Sequence, residues 1–172
     1  GVLANERGAP HEAADLLMRA IERNPTNSDA VHQLGDVFAS LGELAEAEGC
    51  YRTAIEIAPG VAGIHGKLGS VLTQMGRLEE ARGSFETALG LNPDDPALLG
   101  GLALVQLEEG NVDQARSTSE RAVGIDDQSV DGHYALARVH RALGNADQAR
   151  EEAARVRDLA PDNARYLDGL FI

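Results

Sequence analysis

Large aromatic side chains are scarce in this chain, which contains no Trp and only 3% Phe, Trp and Tyr among its 172 residues. A core without large rings must be built from Leu, Val, Ile and Ala, and Ala-rich packing of helices fits that requirement. The remaining composition is ordinary, with 43% hydrophobic and 25% charged residues. Together with the length, it predicts one soluble globular domain with a substantial core.

Cysteine and export signals are also nearly missing. Cys50 is the one cysteine, so it cannot form an internal disulfide, and we expect it to be a buried structural thiol. No apolar run is long enough to span a membrane, and the first residues show no signal-peptide pattern. The chain starts at Gly1 without Met and ends on the apolar Leu170-Phe171-Ile172, so both ends look cut from a longer protein. The compartment of the parent protein stays open, with the cytoplasm slightly favoured.

Positive charge is in short supply, since 15 Lys and Arg stand against 28 Asp and Glu, for a net charge of −13. No cluster of Lys and Arg is long enough to bind phosphates. Such a chain repels nucleic acid and anionic membrane surfaces, so we predict no nucleic-acid partner and no membrane insertion. The charge indicates an acidic, soluble surface, and a preference for basic partners is the alternative.

What the chain does contain is an internal repeat. Gly8 and Gly42 lie 34 residues apart, and four columns of residues keep that spacing along the chain without one insertion. A fixed period of this length indicates tandem structural repeats. The columns are Gly8, Gly42, Gly76, Gly110 and Gly144; Ala13, Ala47, Ala81, Ala115 and Ala149; Ala20, Ala54, Ala88 and Ala122 with Val156; and Pro25, Pro59, Pro93 and Pro161, broken by Asp127.

Each period predicts two helices. In residues 28–61, apolar residues recur at spacings of three and four, as in a helix that buries one face. Gly42 ends this helix because glycine tolerates the left-handed conformation of a helix end, and Pro59 stops a second helix. Asp95 with Pro96 predicts a sharp helix start, and Asn27 or Ser28 provides one at another joint. The short connections predict antiparallel neighbouring helices throughout the chain.

These columns resemble the tetratricopeptide repeat (TPR) family. Residues 28–61 match the family pattern in order, and residues 62–95 match it nearly as well. Residues 96–129 are more degenerate, because Ala103 replaces the Gly, Gln106 the large residue, Ser119 the aromatic residue and Asp127 the Pro. The matching residues of the first complete repeat are Leu34, Gly35, Phe38, Ala47, Tyr51, Ala54 and Pro59.

The resemblance implies an all-α fold, a right-handed superhelical α-solenoid of antiparallel helix pairs. We expect residues 1–172 to form a single array. Residues 1–27 are expected to be a partial repeat cut inside its first helix, and residues 164–172 the start of a further helix. The full repeats are 28–61, 62–95, 96–129 and 130–163.

In TPR proteins the first helix of each repeat lines a concave groove, where partners lie. We call groove positions those on a first helix that point away from the second helix. Leu104 and Leu107 form either an apolar pocket or a packing contact with a neighbouring helix, and Arg138 with Arg141 suits a carboxylate-bearing peptide. The C-terminal half is therefore expected to be the main contact surface. The candidate partner-binding residues are Asp29, His32, Asp36, Leu104, Leu107, Tyr134, Arg138 and Arg141.

Known groove chemistries and catalytic constellations are missing. Asp36 argues against the carboxylate clamp of chaperone-binding TPR domains, and the asparagine ladder of the O-GlcNAc transferase type is absent. His133 and His140 lie two turns apart, too far to share one metal ion. His65 and His133 fall in a helix-packing column, so a core or boundary role is expected for both. We predict no catalytic residue, no cofactor and no metal site.

The sequence therefore predicts a non-catalytic scaffold that binds a partner peptide or protein in its groove. The alternative is a TPR substrate-recognition arm of a larger enzyme, of the glycosyltransferase or sulfotransferase type, whose catalytic domain lies outside this chain. Self-association through the repeat ends is a third possibility, suggested by the apolar Leu170-Phe171-Ile172. Fold alone does not identify the partner.

Overall fold

The computed structural model describes residues 2–163, and within this range the chain forms nine α-helices and no β-strand. The predicted helix over residues 164–172, with Leu170-Phe171-Ile172, lies outside the described residues. From α2 onward, each predicted full repeat contains two helices. The helices are α1 (Val2–Arg23), α2 (Ser28–Leu41), α3 (Leu44–Ile57), α4 (Ala62–Gln74), α5 (Leu78–Leu91), α6 (Pro96–Glu108), α7 (Val112–Ile125), α8 (Val130–Ala142) and α9 (Ala146–Leu159).

The glycine column ends the first helix of each full repeat, as predicted. After α2, the backbone N–H groups of Gly42 and Glu43 donate to the carbonyls of Ala39 and Phe38, which satisfies carbonyls at the end of the helix. This geometry needs a positive φ, which glycine adopts without strain. The glycines with φ between 76° and 83° are Gly42, Gly76, Gly110 and Gly144.

Two of the predicted helix starts are also confirmed. The Asn27 side chain accepts a hydrogen bond from the N–H of Ala30, so Asn27 rather than Ser28 caps α2. Asp95 accepts from the N–H of Ala97, and Pro96 is the first residue of α6. Both caps satisfy N–H groups that have no partner inside the helix.

Gly8 belongs to the glycine column but does not end a helix. α1 runs without interruption from Val2 to Arg23, through both Gly8 and Pro10. The residues of α1 before Gly8 would make fewer than two helical turns. So short a segment is a poor helix by itself, because nucleation is unfavourable and few hydrogen bonds follow it. The first element is therefore one long helix rather than parts of two.

The chain folds as two compact units, and their boundary lies between Ser84 and Phe85, inside α5. In unit 1, α2 packs against α1 and α3, and α3 packs against α4. In unit 2, α6 packs against α7 and α8, and α8 also packs against α7 and α9. The alanine columns lie at the helix contacts of both units. Ala47 and Ala54 in unit 1, and Ala115 and Ala122 in unit 2, are fully buried.

Glycine and aromatic residues of the repeat fit together by size. A Cβ atom at Gly35 would lie 2.8 Å from Cε1 of Tyr51, so the ring packs directly on the α2 backbone. In the third repeat both equivalent positions differ, with Ala103 on α6 and Ser119 on α7, and both are 0% exposed. A larger residue on one helix accompanies a smaller one on the other. The degenerate third repeat can thus stay close-packed without the ring.

Four charged side chains form a network within unit 1. Glu48 on α3 accepts hydrogen bonds from Arg52 Nε at 2.8 Å and from Arg77 Nη1 at 2.6 Å. Glu80 on α5 accepts from the same two guanidinium groups. Burial raises the pKa of Glu48, but the hydrogen bonds and charges of Arg52 and Arg77 outweigh burial, and the net shift is downward from 4.5.

This network predicts a loss of stability in acid. Because the pKa of Glu48 is lower in the folded chain, its ionised form stabilises the fold above pH 4.5, and that contribution disappears as the pH falls through the folded-state pKa. Glu48→Gln should lower the free energy of unfolding at pH 7 by about 1.5 kcal/mol, the lower end of the range for hydrogen bonds to charged groups. Urea unfolding at several pH values should show a smaller acid effect in the variant. Equal acid effects would contradict this assignment.

Candidate functional site

The predicted acidic groove positions of α2 have different surroundings. Asp29 lies in the first turn with its side chain 85% exposed, and its Oδ1 is 3.8 Å from Nδ1 of His32. The His32 side chain is 21% exposed. Asp36 lies about two turns further along, and its side chain is 38% exposed. The structure thus brings Asp29 and His32 together but gives Asp36 other partners.

Both carboxylate oxygens of Asp36 are engaged within unit 1. Oδ1 accepts a hydrogen bond from the Tyr51 hydroxyl at 2.7 Å, and Oδ2 lies 2.5 Å from Nζ of Lys67 on α4. Burial, and then the hydrogen bond and charge of Asp36, raise the pKa of Tyr51, so its hydroxyl remains a donor. Asp36 therefore connects α2, α3 and α4.

Lys67, on the first helix α4, was not among the candidate partner-binding residues. Its side chain is 42% exposed and pairs with Asp36. Asp36 and Lys67 lie 31 residues apart in the sequence, which is three residues fewer than one repeat. This offset places them beside each other on consecutive first helices, so the repeat period contained a signal for the pair.

The predicted apolar and aromatic positions of unit 2 are largely packed. Tyr134 is 9% exposed and forms a cluster with Val156 of α9, and the partly buried Leu104 packs against this cluster. Of the two alternatives for Leu104, a packing contact is the one observed. Leu107 is half-buried. The candidate residue Tyr134 is therefore buried, because side chains of α6 and α9 cover its ring.

Arg138, which the sequence analysis assigns to a carboxylate of a partner, is already paired within the chain. Its Nη2 lies 2.5 Å from Oε1 of Glu108 on α6, and its guanidinium carbon lies 5.9 Å from the centre of the Tyr134 ring. The side chain is only 24% exposed. Arg141 is exposed and also has a partner within the protein. A carboxylate on a partner would therefore compete with Glu108 for Arg138.

The helices α6 and α8 approach each other closely at Gly100. A Cβ atom there would lie 2.7 Å from the backbone carbonyl carbon of Asp131. An open depression of about 410 Å³ lies at the starts of these two helices, and Asp95, Asp126 and Asp131 are among its lining residues. The gap between α6 and α8 is therefore closed at Gly100, and a depression opens beside it at the starts of the two helices.

The two histidines of the helix-packing column bond to preceding turns. His65 Nε2 lies 2.9 Å from the carbonyl oxygen of Pro59, and His133 Nε2 lies 2.9 Å from that of Asp127. His133 Nδ1 also lies 2.5 Å from Oε2 of Glu152 on α9. These contacts hold the start of a first helix to the turn before it, which confirms the predicted packing role.

Cys50 has the character of an unreactive thiol. It is half-buried, and burial, followed by the negative charge of Glu46, raises the pKa of the thiol. A raised pKa keeps the sulfur protonated, whereas nucleophilic cysteines need the thiolate. Within residues 2–163, no three His, Cys, Asp or Glu side chains are grouped so that they could hold a metal ion. None of the helices in that range is long and apolar enough to cross a membrane.

Comparison with known proteins identifies one family. The family model of the tetratricopeptide repeat matches residues 4–69, 72–129 and 106–170. No curated protein sequence matches the chain.

Similar solved structures are themselves TPR proteins. TTC0263, a thermophilic TPR protein of Thermus thermophilus, has a TM-score of 0.79 and 24% identity, with 100% of this chain and 96% of that chain covered. pilF of Pseudomonas aeruginosa has a TM-score of 0.75 and 25% identity, with 97% and 76% covered. YrrB, described as a TPR protein with an unusual peptide-binding site, has a TM-score of 0.65 and 20% identity, with 96% and 86% covered. These likenesses confirm the predicted fold class, an all-α solenoid of TPR type.

Proposed function

Because this chain belongs to the tetratricopeptide repeat family, we propose that it is a non-catalytic scaffold whose groove positions bind a partner peptide or protein. One observation carries the proposal: polar groove side chains are held in place by bonds within the chain and are still accessible. Asp36 is 38% exposed although both its oxygens are engaged, and Glu108 is 42% exposed while paired with Arg138. Side chains that are already ordered lose little conformational entropy when a partner arrives.

The proposed contact surface of each unit follows from these side chains. In unit 1 it comprises Asp29, His32 and Asp36, with Lys67 added. In unit 2, Leu104 and Tyr134 form an apolar layer beneath the more accessible positions. YrrB, which has a similar fold, is described as having a peptide-binding site, and this supports a peptide as the class of ligand. The accessible unit 2 positions are Leu107, Arg138 and Arg141.

Selection from a random peptide library against the purified chain tests the proposal. We expect binding peptides, and we expect the double variant His32→Ala and Leu107→Ala to bind the peptide pool about tenfold more weakly. Loss of two contact side chains removes about 1–2 kcal/mol of binding free energy. Fluorescence anisotropy with labelled peptides measures the change.

The double variant His11→Ala and Leu91→Ala is the matched control, because it removes the same two side-chain types from α1 and α5, away from the groove positions. We expect its affinity to equal that of the unchanged chain. Equal affinities in the two double variants would place the binding elsewhere. Recovery of no binding peptide would refute the scaffold proposal.

A further inference from the structure

We infer that the partner segment is positively charged, an inference that rests on the proposed function and names the chemistry of its ligand. The starting point is the state of the groove cations. Lys67 is paired with Asp36, and Arg138 is paired with Glu108 and covers the ring of Tyr134. An acidic partner would have to displace a carboxylate that the chain already holds in position, so its own ion pair would bring little net gain.

The carboxylates of the same pairs can accept a further cation. An ionised carboxylate offers about four lone-pair sites, and Asp36 uses two of them, for Tyr51 and Lys67. The Glu108 side chain is 42% exposed. A Lys or Arg of the partner could therefore join either pair without breaking it. The groove thus favours a cation over an anion at both pairs.

Asp29 adds a carboxylate that is mostly in solvent. Its side chain is 85% exposed, and its Oδ1 lies 3.8 Å from Nδ1 of His32. The chain as a whole carries a net charge of −13, which raises the local concentration of basic segments and their rate of association. Charge complementarity therefore points to a segment rich in Lys and Arg.

The test measures whether positive charge on a peptide raises or lowers its affinity for the chain. Three labelled peptides share one Ala and Ser framework and carry Lys, Glu or Gln at the same places, and their affinities for the whole chain are measured by fluorescence anisotropy at low salt. We expect the Lys peptide to bind at least tenfold more tightly than the other two. Lys67→Gln should then tighten binding of the Lys peptide about threefold, because it releases Asp36 to the ligand, on the scale of one exposed ion pair.

Two further variants control for the net charge of the chain. Arg52→Gln removes one cation that is 48% exposed and paired with glutamates of the same unit, but it lies on the second helix α3. It should leave the affinity unchanged. Asp29→Asn should weaken binding of the Lys peptide about threefold, while Glu46→Gln, in the first turn of α3, should not.

Three other outcomes would contradict the inference of a basic partner. Preference for the Glu peptide, or weaker binding of the Lys peptide by Lys67→Gln, would overturn the inference and favour an acidic partner. Equal tightening by Lys67→Gln and Arg52→Gln would show a general charge effect and refute the groove pair as its source. If the library yields binding peptides that carry no excess of Lys and Arg, the scaffold function stands and this inference fails.

Discussion

Phe85→Ala should lower the free energy of unfolding by about 4 kcal/mol, within the usual range for a buried Phe truncated to Ala. Phe85 is 3% exposed, and its ring lies on the backbone of α6, where a Cβ at Gly101 would be 2.4 Å from Cε1. The glycine leaves room for a ring and has no side chain with which to fill the cavity. Urea unfolding followed by the helical circular dichroism measures the loss.

A matched truncation on the same helix separates packing from any effect on helix α5 itself. Leu91→Ala removes a side chain that is 46% exposed, and we expect a loss of less than about 1 kcal/mol because little area is uncovered. If Phe85→Ala destabilises the chain no more than Leu91→Ala, the contact between Phe85 and Gly101 does not stabilise unit 2 as we argue.

Much of the fold could be predicted from the sequence because its determinants are local and repeated. A glycine that needs a positive φ, as at Gly42, and a proline at a helix start, as at Pro96, act through the backbone of their own residues. The 34-residue period then aligns every such signal with the next. Gly8 departs from this rule, because it lies inside α1, which continues through it to Arg23.

The candidate site was predicted less well because its properties depend on contacts between repeats. Whether Arg138 is a free cation is decided by Glu108, thirty residues earlier and on another helix. Likewise, Tyr134 occupies a groove position by spacing, yet Val156 and Leu104 cover its ring. Helical periodicity gives the direction of a side chain but not its reach, and long side chains such as Lys67 cross to the neighbouring helix. Pairing and exposure at these positions are therefore set by neighbouring helices and not by the local sequence.

The neutralised cations change the expected response to mutation. If Arg138 bound a carboxylate of the partner, replacing Arg138 would weaken binding of that partner. Because Arg138 is paired with Glu108, replacing Arg138 instead leaves the Glu108 carboxylate without this cation, and a basic partner should bind more tightly. The sign of the effect, rather than its size, therefore separates the two models of the groove.

Gly100→Ala should lower the free energy of unfolding by about 2 kcal/mol, in spite of the higher helix propensity of Ala. The propensity difference favours the variant by about 1 kcal/mol in a helix interior. Against it, the new Cβ would lie 2.7 Å from the carbonyl carbon and 2.8 Å from the carbonyl oxygen of Asp131. These are backbone atoms that no rotamer change can move, so α6 and α8 must separate. The cost should lie at the upper end of the range of about 1–3 kcal/mol for overpacking, which leaves a net loss of about 2 kcal/mol.

Gly49→Ala is the control that isolates the close approach from helix propensity. Gly49 lies inside α3, and a Cβ there would meet nothing within 4 Å. It should therefore raise the free energy of unfolding by about 0.5–1 kcal/mol. The two substitutions are chemically identical, and only Gly100→Ala brings a Cβ against another helix. Urea unfolding should therefore show a lower free energy of unfolding for Gly100→Ala and a higher one for Gly49→Ala. A Gly100→Ala variant that is as stable as Gly49→Ala would mean that α6 and α8 can separate at little cost, and the contact at Asp131 would not determine how the third and fourth repeats pack.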